Sequence, residues 1–129
     1  MIRVLLCLLL LTIASPAHAE EKEYLYYRDV TIPAFQNMRE FFNLPNRKGS
    51  YQVSLVSDSI GPLTFRIIRA EEDVEKEIKR HRSYSISDHE FHLPFTNANG
   101  KFDLIVEMAN SNPAGSAKVS VIVVEDPNP

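Results

Sequence analysis

The sequence predicts a mainly β protein: an antiparallel β-sandwich, jelly-roll or immunoglobulin-like, of about six or seven strands with one short charged helical insert. Three observations carry that expectation. Apolar and polar residues alternate with period two over most of the chain. Turn-forming clusters such as Asn46–Gly49, Asp58–Pro62 and Asn97–Gly100 recur at short intervals. The last third, Lys101 to Glu125, is too apolar to stand uncovered, so a second layer must pack on it. A small barrel is the rival architecture.

In that last third, Phe102, Leu104, Val106 and Met108 share one face of a first strand. Ala117, Val119, Val121 and Val123 share one face of a second. The expected arrangement is a hairpin in which Met108 pairs with Ala117 and Glu107 sits opposite Lys118. Ile105 and Ile122 would then be diagonal neighbours on the other face.

Residues 1–19 read as a secretory signal peptide. Arg3 supplies the basic start, Val4 to Ile13 the apolar run, and Ala17-His18-Ala19 the small-residue cleavage site. The apolar run is about half of the ~20 residues a spanning helix needs. Cys7 lies at the start of that run, where a lipidated cysteine would belong at its end. Cleavage after Ala19 is expected to leave one domain, residues 20–129, with no transmembrane segment. A chain of that size can bury roughly two thirds of its unfolded surface.

Of the 129 residues only Cys7 is a cysteine, so the expected mature protein forms no disulfide. With no glycosylation sequon either, the sequence points to a bacterial envelope, periplasmic first and secreted second. The mature chain carries 13 basic against 17 acidic residues, which argues against nucleic acid as a partner.

Along the chain, Tyr24 to Ile32 reads as a strand that Pro33 ends or places at an edge. Its tyrosines are expected to divide between core and rim. Phe35 to Leu44 is expected to be a short turn or strand anchored in the core by Phe41 or Phe42. Ser50–Ser57 and Leu63–Arg69 alternate on either side of a five-residue turn, which suggests a second hairpin. Residues 70–82 change character. Glu71, Glu72 and Asp73 lead and Lys79, Arg80 and Arg82 close, with favourable Glu72–Lys76 and Glu75–Lys79 spacings, so a short surface helix is expected. A charged hairpin excursion is the alternative, because the Val74/Ile78 stripe is thin. Ser83 to Phe95 returns to alternation, with a parity switch at Ser87-Asp88 that suggests a bulge or bend.

Ligand-type side chains concentrate only at Asp88, His89, Glu90 and His92. On a strand Asp88, Glu90 and His92 would share a face and His89 would oppose them. Mixed carboxylate and imidazole donors suit a divalent transition metal. A polar strand face is the plainer reading of the same residues. No mature cysteine, nucleophile elbow or glycine-rich phosphate loop is present, so no catalytic residue, cofactor or enzyme activity is expected.

From about Phe41 to Glu125 the order of motifs resembles the pre-peptidase C-terminal domain, the small jelly-roll sandwich appended to bacterial secreted peptidases. The matching pieces are Phe42-Asn-Leu-Pro45, Ser50–Ser57, Leu63–Ile68, Glu90-Phe-His-Leu-Pro94 and Gly100–Glu107. The acidic pair often found at the start of the strand occupied here by Gly61–Phe65 is missing, so a calcium site is not carried over. The resemblance implies a non-catalytic binding or accessory module.

The sequence therefore predicts an exported binding module that recognises a protein or an envelope polymer. Its expected contact surfaces are the Tyr24–Tyr27 strand and the loops Asn46–Ser50 and Asn110–Ser116. Two other readings remain open. One is metal carriage or metal-dependent hydrolysis at the Asp88/His89/Glu90/His92 cluster. The other is a structural subunit of a surface assembly.

Overall fold

The structure, a computed structural model, describes residues 23–126. The expected signal peptide, residues 1–19, and the last three residues lie outside the described part. Eight strands form: β1 (Glu23–Ile32), β2 (Asn37–Phe42), β3 (Gly49–Ser57), β4 (Leu63–Glu71), β5 (Val74–Ser83), β6 (His89–Asn97), β7 (Asp103–Asn110) and β8 (Ala117–Asp126). They build two four-stranded antiparallel sheets, ordered β1-β8-β3-β6 (sheet A) and β2-β7-β4-β5 (sheet B). All connections cross between sheets except β4–β5, which is the strand order of a jelly roll. Each sheet keeps two open edges, so the fold is a sandwich and not a closed barrel.

The inner faces meet in one apolar core. Sheet A contributes Val30, Ile32, Val53, Leu55, Val119, Val121 and Val123; sheet B contributes Phe42, Phe65, Ile67, Leu104, Val106 and Met108. The alternating rows of β7 and β8 are thus both buried, but the strands do not pair. β7 lies between β2 and β4, and β8 between β1 and β3. The expected closing hairpin is replaced by two rows that face each other across the sandwich. Two strands buried on one face satisfy the same alternation side by side or face to face. Glu107 consequently meets Arg39 and Arg66, not Lys118. Ile105 is buried on the outside of sheet B beside Ile68, while Ile122 lies in the other sheet. The second expected hairpin separates in the same way, β3 in sheet A and β4 in sheet B.

The helical insert expected over residues 70–82 is not there: no helix occurs among the described residues. Its charged half is β5, which pairs with β4 through a two-residue turn, so the hairpin alternative holds. Glu72 (φ 49°) and Asp73 (φ 64°) both take left-handed backbone, as a type I′ hairpin turn demands. Neither is the Asn or Gly that normally signals such a turn, which hides it in the sequence. A bulge at Ile78 interrupts the ladder, since Lys79 pairs with Ile67 and Glu77 with Ile68.

The charges that suggested a helix are used across strands instead. Arg66 and Arg80 are directly opposite each other, and Glu77 lies between them at 2.6 and 3.1 Å. Glu107 receives Arg66 at 2.9 Å and Arg39 at 3.2 Å, and Arg39 reaches Glu75 at 2.5 Å. Three arginines and three glutamates so alternate over the outer surface of sheet B. The parity switch at Ser87-Asp88 is a bend, at Ile86 and Ser87, between strands and not within one. Residues 84–88 are the crossing from β5 to β6.

Two outcomes follow from this hairpin. The double substitution Glu72→Asn, Asp73→Gly should stabilise the protein by about 1 kcal/mol or more, read as a higher denaturant midpoint, because each left-handed L-residue costs roughly that much. Glu75 is held below the ordinary carboxylate range by its hydrogen bond from Arg39, and Glu77 by those from Arg66 and then Arg80. Folded values below the unfolded ones give a contribution that is complete above the unfolded range and fades as pH falls through the folded one. Amide protection in β5 should therefore weaken between neutral pH and about pH 3 while that of β8 persists. Equal loss in both strands would mean the ion ladder does not hold the hairpin.

Candidate functional site

Of the expected contact residues, Tyr24 and Tyr27 fall on the outward face of sheet A, and the two loops lie at opposite ends of the sandwich. Register sets the outward residues of that sheet in rows. Tyr27, Ile122, Ser54 and His92 are successive neighbours across β1, β8, β3 and β6. Asp29, Ser120, Val56 and Glu90 form the next row. Thr31 and Lys118 follow on β1 and β8.

Strand β1 is an edge of its sheet, as Pro33 suggested. It is fixed by its inward side. Tyr26 packs on Phe42, with ring centroids 5.2 Å apart, and donates its hydroxyl to the Asn43 carbonyl at 2.6 Å. Arg28 lies over the Phe42 ring and pairs with Glu40 at 2.8 Å. The outward Tyr24 and Tyr27 are 74% and 64% exposed, so large aromatic faces meet solvent on an anchored strand. The division of tyrosines between core and rim is the expected one. Phe42 is the core anchor of β2, while Phe41 points out.

Beside Tyr27 lies an open depression of about 580 Å³, lined among others by Asp29, Thr31, Val56, Asp58, Lys118 and Ser120. Ser120 donates to Asp29 at 2.7 Å. Asp58 also borders a second depression, of about 610 Å³, formed with Ile60 and the loop Asn112–Ser116. The two depressions share Asp58 in their walls. That loop is a built structure. Asn110 is buried and its amide donates to the Ile32 and Gly115 carbonyls, and Asn112 donates to the Ile60 carbonyl at 3.1 Å. The loop Asn46–Ser50 lies at the other end of the sandwich, where Arg47 pairs with Glu125 at 2.6 Å.

The four ligand-type residues are not brought together. Strand alternation sends His89 inward and Glu90 and His92 outward, while Asp88 sits exposed in the preceding loop. His89 is fully buried. Its Nε2 must carry the proton, because its 3.0 Å partner is the Ser59 carbonyl, which only accepts. Its Nδ1 then accepts from the Ser83 hydroxyl at 2.6 Å. Outside, His92 Nε2 meets Glu90 at 2.7 Å and Nδ1 meets Ser54 Oγ at 2.7 Å. All four ring nitrogens are engaged within the protein. Among the described residues no group of three or more His, Cys, Asp or Glu side chains is placed to hold a metal ion.

Sequence reasoning did not single out Asp29, Asp58 or Ser120. Each is an ordinary polar residue, and only the juxtaposition of β1 with β8 and of two crossing loops gives them a common wall.

No family model and no curated protein matches the chain. Solved structures do share its fold. The mitogen derived from Yersinia pseudotuberculosis is 16% identical, with a TM-score of 0.61 over 81% of this chain and 87% of that one. PirA is 17% identical, with a TM-score of 0.56 over 78% of this chain and 95% of that one. A chain of naturally occurring empty cowpea mosaic virus particles is 12% identical, with a TM-score of 0.57 over 85% of each chain. At such identities the likeness is one of fold: this chain is a two-sheet antiparallel β-sandwich of the kind these proteins share.

Proposed function

We propose that the chain is an exported, non-catalytic binding or accessory module of bacterial type, recognising a protein or an envelope polymer through the outer face of sheet A. The observation that carries this reading is the edge strand β1, which is anchored from within, exposes Tyr24 and Tyr27 on its outer side and sets Tyr27 in the wall of an open depression. The other edges are guarded in the ways sheets avoid unwanted pairing. Charges crowd β5, β6 carries Pro94, and β2 is only six residues long. Strand β1 has one bulge, at Leu25, and no lysine. A partner that adds a strand there would gain main-chain hydrogen bonds, with the tyrosines choosing its side chains. The accessory role implied by the resemblance to pre-peptidase C-terminal domains belongs to the same proposal.

Photo-crosslinking in the producing cell tests it. A benzophenone amino acid in place of Tyr27 should give a discrete adduct, and the same group in place of Arg80, on the far sheet, should not. No adduct from position 27, or equal adducts from both, would sink the reading.

A further inference from the structure

The crossing loops 33–36, 58–62, 84–88 and 111–116 all lie at one end of the sandwich, because β1, β3, β5 and β7 run toward it. This pole has two unusual properties. Its loops are nearly uncharged: their only ionisable side chains besides Tyr84 are Asp58 and Asp88, and the cations Arg82 and Lys118 stand on the adjoining ends of β5 and β8. The opposite pole carries Arg47, Lys48, Glu72, Asp73 and Lys101. The nearly uncharged loops also display large apolar side chains, with Phe35 71%, Ile60 67%, Tyr84 75% and Ile86 81% exposed. They come from three different loops, so one apolar run in the sequence does not account for them.

The display is held in place. The Gly61 amide donates to the Ile86 carbonyl at 3.0 Å, Ser111 to Pro62 at 3.3 Å and Asn110 to Gln36 at 2.9 Å. His89 fixes the Ser59 carbonyl from below. Phe35 takes a φ of 59°, a left-handed backbone that is an outlier for a bulky residue, with its ring in solvent. Strain kept at an exposed aromatic is what a functional constraint leaves behind.

We propose that this pole inserts shallowly into the interface of a neutral lipid bilayer. A protein interface of usual kind matches its apolar centre with a charged or arginine-containing rim and close shape complementarity. Here single side chains protrude, separated by Ser59, Ser85 and Ser87, with no cation among them. A lipid–water interface takes such side chains without a complementary surface, and Tyr and Phe suit its headgroup depth. With no Lys or Arg in the loops themselves, binding through these side chains does not depend on anionic lipid. The pole shares Ile60 and the loop 112–116 with the second depression but not β1 or its tyrosines, so crosslinking at Tyr27 and vesicle binding test the two readings separately.

The chain has no tryptophan, which makes an introduced one a clean reporter. The full protein carrying Ile86→Trp would be titrated with phosphatidylcholine vesicles, beside a Val74→Trp variant reporting from the far pole. Emission at position 86 should shift to the blue and position 74 should not. Co-sedimentation should persist at about 1 M salt, where charge attraction is screened. The double variant Ile60→Asp, Ile86→Asp should keep its thermal melt, since both positions are exposed, and bind roughly tenfold more weakly or worse. Absence of sedimentation, a shift at position 74 as large as at 86, a requirement for anionic lipid, or undiminished binding by the double variant would each overturn the proposal.

Discussion

The apolar seam between the two sheets is the constraint on which everything else depends. Each of the four central strands, β8 and β3 in one sheet and β7 and β4 in the other, must bury its inner row, and only the opposite sheet can cover it. Once Val119, Val121 and Val123 oppose Leu104, Val106 and Met108, residues of the other parity are forced outward. The outer rows of sheet A, the ion ladder of sheet B and the separation of His89 from His92 all follow from that parity. A one-residue slip of β8 would bury Lys118 and expose the valines.

The two outer surfaces meet the same problem differently. On sheet B, buried Ile68 and Ile105 lie beneath a layer of arginines and glutamates, whose aliphatic stems cover apolar surface while their charges pair above it. On sheet A, hydroxyls and a few carboxylates leave Tyr24, Tyr27 and Val56 uncovered. A surface already saturated with internal ion pairs has few free valences for a ligand. One furnished with short hydroxyl side chains and bare aromatic rings has many. That difference supports the proposal that sheet A carries the binding face.

Much of the fold was legible in the sequence, because burial on one face writes itself as period two. The strands around Tyr51–Leu55, Leu63–Ile67 and Leu104–Met108 were readable in this way, while the edge position of β1 and the core role of Phe42 were each one of two options left open. Pairing was not readable. Alternation says which side of a strand is dry but not which strand lies next to it, so both expected hairpins proved to be crossings. The β5 hairpin was obscured twice, by a turn lacking Asn or Gly and by charges whose spacing fits a helix as well as a strand. Within Asp88–His92 the opposite facing of the two histidines was legible. Their capture by Ser59, Ser83 and Ser54, all distant in sequence, was not.

The register of β1 against β8 has a consequence for attachment. Glu23 lies opposite Glu125, so the first and last described strand residues leave the sandwich side by side, at the charged pole. Whatever is joined to the chain there, whether a polypeptide, a surface or an affinity handle, holds the domain by its base. The four crossing loops then lie at the pole opposite to Glu23 and Glu125, pointing away from such an attachment.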